Sequence, residues 1–97
     1  MKKYKLTDES ITTECGKKLF RIEAVKDFGE VKKGDKGGFI QCEQNLSHDG
    51  DSWVSGDALV YGNACVYDDA CVCDNAWVFD DACVSGDVRV SGDEETK

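Results

Sequence analysis

The sequence predicts an all-β protein with one structural domain, and two observations carry this prediction. The first is a six-residue repeat that runs from Ser52 to Asp93 as seven hexads without a slip. The second is length, because a chain of 97 residues is close to the lower limit for a hydrophobic core that stabilises itself. A repetitive architecture or association into an oligomer would bury additional apolar surface, so we expect both here.

The hexads share a pattern of three positions. The first position is small or aliphatic, mostly Ala, the third is Val in all seven hexads, and the sixth is Asp or Asn. A small-x-Val segment is a short strand whose two ends face inward, and Gly, Asp and Asn form turns that tolerate left-handed backbone angles. A strand and a turn every six residues predict a three-sided coil of 18 residues, with coils stacked about 4.8 Å apart.

This repeat resembles the left-handed parallel β-helix of the hexapeptide-repeat family, strongly over residues 52–93 and weakly over residues 40–51. The resemblance implies a single-stranded left-handed parallel β-helix of about three 18-residue coils. The text from Leu19 to Val54, with Lys-Asp-Phe-Gly and Gly-Gly-Phe-Ile, is also similar to small uncharacterised proteins of bacteria and their phages.

The N-terminal part has a different pattern. Leu19–Phe28 alternates apolar and polar residues as a half-buried strand does, and residues 4–13 are a preceding strand or a loose arm. We expect these strands to form a small hairpin that caps the first coil. The predicted organisation is a β cap region over residues 1–39, the repeat over residues 40–93 and a tail over residues 94–97.

Charge divides the chain in the same way. Residues 1–39 contain ten basic and seven acidic residues, whereas residues 40–93 contain one basic and eleven acidic residues, and the whole chain has a net charge of -8. This acidity argues against direct binding to nucleic acid, which needs a basic surface. We find neither a long apolar run nor a secretory signal, so we expect a cytoplasmic protein that does not enter a membrane.

If residues 18 apart stack, an apolar patch forms on the outer surface. Leu59 and Trp77 share one face, with Tyr61 and Phe79 at its edge, and Trp53 lies outward on another face. Such a patch marks an interface, formed with the N-terminal strands of the same chain, with further copies in a dimer or trimer, or with another protein. Val90 lies at the open C-terminal coil, where an unpaired edge invites self-association.

Rows of aspartates follow from the same stacking. A row of carboxylates on a rigid rod imitates a nucleic-acid backbone and would attract a basic groove on another protein. A bound Ca²⁺ is the alternative use of these rows, although a turn role already explains Asp and Asn there, and we predict no cofactor. The predicted acidic surface contains Asp68, Asp69, Asp74, Asp80, Asp81 and Asp87.

The resembled family includes acyltransferases that use a His as general base and carbonic anhydrases that bind zinc through three His. The chain has one His, His48, which falls at an inward position of its hexad. We therefore predict no enzyme, and a reduced acyltransferase is the alternative. Cys65 and Cys83 stack on one face; we favour free thiols there, with a disulfide or a soft metal ion as alternatives.

The functional hypothesis is a non-enzymatic interaction or assembly module. In its concrete form, a phage or mobile-element protein occupies the basic nucleic-acid-binding site of a host protein such as a defence nuclease. The alternative is a structural subunit that polymerises through its open C-terminal coil.

Overall fold

The structure is a computed structural model that describes residues 2–14, 16–29 and 31–92 and the backbone of residues 95–96. A 3₁₀ helix spans Glu43–Asn45. The N-terminal strands are long, and the strands of the repeat have two residues each. In chain order the strands are β1 Tyr4–Thr12, β2 Lys18–Ala24, β3 Lys36–Ile40, β4 Trp53–Val54, β5 Leu59–Val60, β6 Cys65–Val66, β7 Cys71–Val72, β8 Trp77–Val78, β9 Cys83–Val84, β10 Arg89–Val90 and β11 Glu95–Thr96.

The strands form three sheets over the described part of the chain. The largest has six strands in the order β1-β2-β3-β5-β8-β11, the second has the order β10-β7-β4, and the third pairs β6 with β9. The pairs β1-β2 and β2-β3 are antiparallel, and the other pairs are parallel. The six-stranded sheet is therefore mixed.

Strands of the repeat pair with strands eighteen residues away. Leu59 lies opposite Trp77, and Cys65 lies opposite Cys83. Cys71 lies between Trp53 and Arg89 in the three-stranded sheet. The predicted neighbours of these side chains are thus confirmed, because hexads three apart contribute to the same sheet.

The predicted left-handed parallel β-helix of three coils is nevertheless wrong as a description of the fold. The strands lie in mixed and parallel sheets, none of them closed or coiled, and a left-handed β-helix is not shown. The predicted N-terminal cap is also corrected, because β3 pairs with β5 and extends the largest sheet through Phe39 and Leu59. Gly38 makes this possible: a Cβ there would lie 2.6 Å from the carbonyl oxygen of Ala58, directly before β5, so only Gly lets β3 approach so closely.

The core forms from the first and third positions of the hexads, as predicted from the repeat. Val54, Val60, Val66, Val72 and Val78 are all fully buried, and full burial of such a side chain contributes about 1.5–3 kcal/mol. The N-terminal strands and the segment after them add large residues to the same cluster. These are Tyr4, Ile22, Ala24, Ile40 and Leu46.

The predicted tail is partly a strand. Glu95–Thr96 forms β11 beside β8, with Glu95 opposite Trp77. Residues 94 and 97 of the predicted tail, and Asp93 at the end of the repeat, lie outside the described residues. The division of the chain at residues 39 and 93 stays a prediction.

Candidate interaction surfaces

The N-terminal strands cover half of the apolar patch. Leu59 and Tyr61 are buried in a second small core with Leu19 of β2 and Phe39 of β3. Of the three coverings considered for this patch, the structure shows the one within the chain. Leu59 and Tyr61 are therefore mostly covered, although both still line a shallow groove beside Trp77.

The other half of the patch stays open to solvent. Trp77 is 39% exposed, and Phe79 is half-buried with its ring stacked on Tyr61 at 5.5 Å between centroids. Ile11 of β1 is 37% exposed and lines a shallow groove of about 280 Å³ together with Trp77. The apolar surface that stays accessible is thus small, and it consists of Ile11, Trp77 and part of Phe79 beside the β1-β2 hairpin.

The other two predicted interface residues are buried. Trp53 is 7% exposed and meets Phe28 edge to face at 5.3 Å, under the loop that follows β2. Val90 is 5% exposed because it belongs to the main core, whereas its neighbour Val88 is 53% exposed. A partner at this end of the sheets would meet Val88 first.

Five of the six predicted acidic residues surround one sheet. Asp68 and Asp69 follow β6, Asp80 and Asp81 precede β9, and Asp87 follows β9; all five are exposed. We call the β6-β9 sheet with these turns the acidic face. Strands β1, β2 and β3 belong to another sheet, so the outer side of β6 and β9 is left to solvent, with Cys83 exposed and Tyr67 39% exposed.

Asp74 belongs elsewhere. It lies in the turn between β7 and β8. Its carbonyl oxygen accepts the N–H of Asp57 at 3.0 Å, so it stands beside the turn that contains Asp57. There Arg21 approaches, with its Nη2 3.4 Å from Asp57 Oδ1, while its Nε donates to Glu9 Oε2 at 2.8 Å. Arg21 therefore reduces the negative charge at the turn that contains Asp57.

The acidic face has less compensation, at Asp69, which attracts the Lys3 ammonium and lines one groove with Lys36 and Arg89. Among the described residues, the ion pairs of Lys2, Arg21, Lys36 and His48 all go to carboxylates outside this face. Residues 40–88 contain no Lys or Arg at all. Four of the five carboxylates, those of Asp68, Asp80, Asp81 and Asp87, thus face solvent outside these ion pairs.

Most of these aspartates also hold the turns together. Asp68 and Asp80 have left-handed φ angles of 60° and 57°. Asp68 Oδ2 accepts the Gly86 N–H at 3.2 Å, and Asp69 Oδ1 accepts the Asp51 N–H at 3.3 Å. Asp81 Oδ1 accepts from Asn63 Nδ2 at 3.2 Å. The structural and the electrostatic roles therefore coexist in the same side chains.

His48 uses both ring nitrogens within the chain. Its Nδ1 accepts the Lys3 N–H at 3.2 Å, and its Nε2 lies 2.7 Å from Glu43 Oε1. The ring stacks on Tyr4 with centroids 4.1 Å apart. The hydrogen bond from His48, followed by that from Lys2, holds the pKa of Glu43 below its usual range. A general base needs a ring nitrogen that reaches a substrate, and both nitrogens here are engaged.

Sequence reasoning missed a buried lysine. Lys3 is fully buried, and its Nζ donates to the Ser52 carbonyl at 2.7 Å and to the Gly50 carbonyl at 3.2 Å. Burial lowers the pKa of Lys3 to about 8. A lysine beside two others near Met1 has no local signal for burial, because its partners lie almost fifty residues away in the chain.

Four of the cysteines lie on two outer surfaces. Cys65 and Cys83 lie on the acidic face, whereas Cys71 and Cys73 line an open groove of about 480 Å³ with Arg89. No group of three or more His, Cys, Asp or Glu side chains converges as a metal site within residues 2–14, 16–29 and 31–92. The aspartate rows thus lack the convergent oxygen ligands that Ca²⁺ takes.

Within the described residues, no helix is long and apolar enough to cross a membrane. Comparison with known proteins finds no family model and no curated protein that matches the chain.

Proposed function

We propose that this protein is a non-enzymatic interaction module whose acidic face occupies a basic site on a partner protein. The observation that carries the proposal is the set of five exposed carboxylates that surround the β6-β9 sheet and lie outside the ion pairs of Lys2, Arg21, Lys36 and His48. The N-terminal strands leave this face open and cover the apolar patch instead.

The spacing of the charges suits a site that binds nucleic acid. Asp51, Asp69 and Asp87 follow one another at intervals of eighteen residues, so they stand about one strand spacing, or 4.8 Å, apart. Phosphates follow one another along a DNA strand about every 3.4 Å of helix axis. A Lys- or Arg-lined groove for a nucleic-acid backbone would therefore meet a similar density of negative charge on this protein.

The turns make these charges rigid. Each of Asp68, Asp69 and Asp81 is fixed by a hydrogen bond to the neighbouring turn, so little side-chain entropy is lost on binding. Rigid surface charge gives fast and salt-sensitive association. The concrete form of the proposal is a phage or mobile-element protein that blocks a host defence nuclease in this way.

The test uses the variant in which Asp68, Asp69, Asp80 and Asp81 are all changed to Asn. Asn keeps an acceptor oxygen for the turn hydrogen bonds and tolerates left-handed angles, so the substitution removes charge with little change in structure. The control changes four exposed acids of the N-terminal part to amides: D8N, E14Q, D27N and D35N. Both variants have the same net charge.

The measurement is the cleavage of duplex DNA by a panel of bacterial DNA nucleases with increasing amounts of each protein. We expect the wild type and the control to inhibit at least one nuclease at low salt and to lose inhibition as salt rises, because the contact is electrostatic. The acidic-face variant should inhibit at least about fivefold less, since two or more contacts of about 0.5–1 kcal/mol are lost. Equal inhibition by both quadruple variants would contradict the proposal.

A further inference from the structure

A pair of thiols lies at the centre of the acidic face. Cys65 of β6 and Cys83 of β9 are direct neighbours in the parallel ladder. Each thiol donates to the carbonyl oxygen two residues before it, Cys65 to Asn63 O at 3.7 Å and Cys83 to Asp81 O at 3.9 Å. Because these bonds are equivalent, the side chains have the same orientation, and side chains with the same orientation in a parallel ladder stand about 4.8 Å apart.

The pair is accessible and electrostatically coupled. Cys83 is exposed and Cys65 is half-buried. Burial, and then the neighbouring Cys83 thiol, raise the pKa of Cys65 above its usual value. Cys42 lies nearby, but its Sγ is directed to Asn45 Oδ1 at 3.7 Å. Two sulfur ligands are thus available at one place on the surface.

The separation of the sulfurs discriminates between the products that two thiols can form. A disulfide needs the sulfurs about 2.05 Å apart, so the two strands or side chains would have to shift by more than about 2 Å. A metal ion between two thiolates needs two bonds of about 2.3 Å, or about 4.6 Å in a linear arrangement. The second value matches the strand spacing within about 0.2 Å.

We propose that Cys65 and Cys83 bind one soft monovalent metal ion, of the class of Cu(I), in linear two-coordinate geometry. Thiolate ligands select Cu(I) over harder ions, and Zn²⁺ prefers four ligands, which this surface does not assemble. The carboxylates of Asp68 and Asp81 raise the local concentration of cations near the thiols. The site is independent of any protein partner.

The binding step releases protons and involves no redox change. Both S–H bonds break, two S–Cu bonds form, two protons pass to solvent, and copper stays in its +1 state. Affinity therefore rises with pH, by up to about 100-fold per pH unit while both thiols are protonated in the free protein. The shift in the Cys65 pKa extends this range upward.

The test is a titration of the reduced full chain with Cu(I) under anaerobic conditions, in competition with a chromophoric Cu(I) chelator. We expect one Cu(I) per chain in the wild type. The variants Cys65→Ser and Cys83→Ser should each weaken binding by at least about 100-fold, because loss of a ligand costs more than loss of its supporting contacts. Since Cys83 is exposed, its substitution should leave the fold intact, which circular dichroism checks.

The matched control is the double variant C71S/C73S, which removes two thiols from the neighbouring sheet. It should bind Cu(I) within about threefold of the wild type, a difference well below the 10-fold that corresponds to 1.4 kcal/mol. Wild-type affinity in Cys83→Ser, or loss of binding in C71S/C73S instead, would overturn the proposal. A pH-independent affinity would overturn it as well.

Discussion

At the scale of single residues, the turns follow a rule for which residue has the left-handed φ angle, and the repeat indicates this rule only in part. In turns that stack at intervals of eighteen residues, the residue with a left-handed φ angle is alternately Gly and Asp. One such stack contains Gly50, Asp68 and Gly86, and another contains Gly56, Asp74 and Gly92. Lack of space for a side chain explains why position 50, the first in the first stack, is Gly. A Cβ at Gly50 would lie 2.5 Å from the Asp68 carbonyl oxygen, whereas a Cβ at Gly86 would meet nothing within 4 Å. The side chain of Asp68 connects this turn to the next one, because its Oδ2 accepts the Gly86 N–H.

This contrast predicts different costs for the same substitution. Gly86→Ala should lower the free energy of unfolding by about 1–2 kcal/mol, the cost of a left-handed angle alone. Gly50→Ala should lower it by at least about 3 kcal/mol, because a clash with backbone is added to that strain. Urea unfolding of both variants measures the difference. Equal losses would mean that the turn at Gly50 relaxes freely.

Residue patterns reveal which side chains face inward but not where distant polar groups meet. Val at the third position predicted burial correctly, because the period of the repeat fixes the direction of each side chain. Lys3 and His48 depend on contacts between residues 45 or more positions apart. Such contacts follow from tertiary packing, and local pattern contains no signal of it.

At the scale of elements, one amide makes four of the hydrogen bonds that hold the segment between β3 and β4. Asn45, at the end of the 3₁₀ helix, is fully buried, and its Oδ1 accepts the N–H groups of Gln41 and Cys42 at 3.0 Å. Its Nδ2 donates to the carbonyls of Ala64 at 2.8 Å and Gly62 at 3.3 Å. One side chain thus connects the segment to the turn before β6.

The variant Asn45→Asp should therefore be severely destabilised. The carboxylate keeps the acceptor side but places an oxygen against two carbonyls, and it buries a charge. We expect a loss of at least about 3 kcal/mol in urea unfolding. The exposed Asn75→Asp is the control and should cost less than about 1 kcal/mol. Similar losses in the two variants would show that the Asn45 donors contribute little.

The sequence predicted β2 as a strand, left residues 4–13 open as a strand or a loose arm, and indicated the place of neither. Alternation of apolar residues is a local property, and it indicates a strand without its partner. The pairing of β3 with β5 depends on close contact between Gly38 and Ala58, which no periodicity describes. For that reason the hairpin was predicted as a cap over an end, whereas it extends a sheet and covers Leu59.

At the scale of the whole molecule, charge separates the two halves of the chain. The N-terminal part is basic and pairs with carboxylates near it, while the acidic face lies outside the ion pairs of Lys2, Arg21, Lys36 and His48. Like charges held close together oppose folding. The acidic face should therefore cost stability, which a purely structural set of turn residues would not do.

This cost is measurable without any partner. The variant D68N/D69N/D80N/D81N should raise the thermal midpoint by several degrees at about 10 mM salt, since about 1 kcal/mol shifts Tm by about 4–8 °C in a domain of this size. The gain should shrink toward zero at about 1 M salt, where screening acts over about 3 Å. The control D8N/E14Q/D27N/D35N should show no gain. A lower midpoint for the acidic-face variant would mean that its carboxylates are already compensated.

The pairing of strands eighteen residues apart also constrains how this gene can change length. An insertion of six residues after Asp69 would preserve the strand-and-turn rhythm, yet it would rotate every later side chain onto the next sheet. Trp77 would then leave its position opposite Leu59, and Cys83 would leave Cys65. An insertion of eighteen residues would return each later side chain to its original sheet. Lineages of this protein should therefore tolerate whole multiples of eighteen residues within the repeat more readily than single hexads.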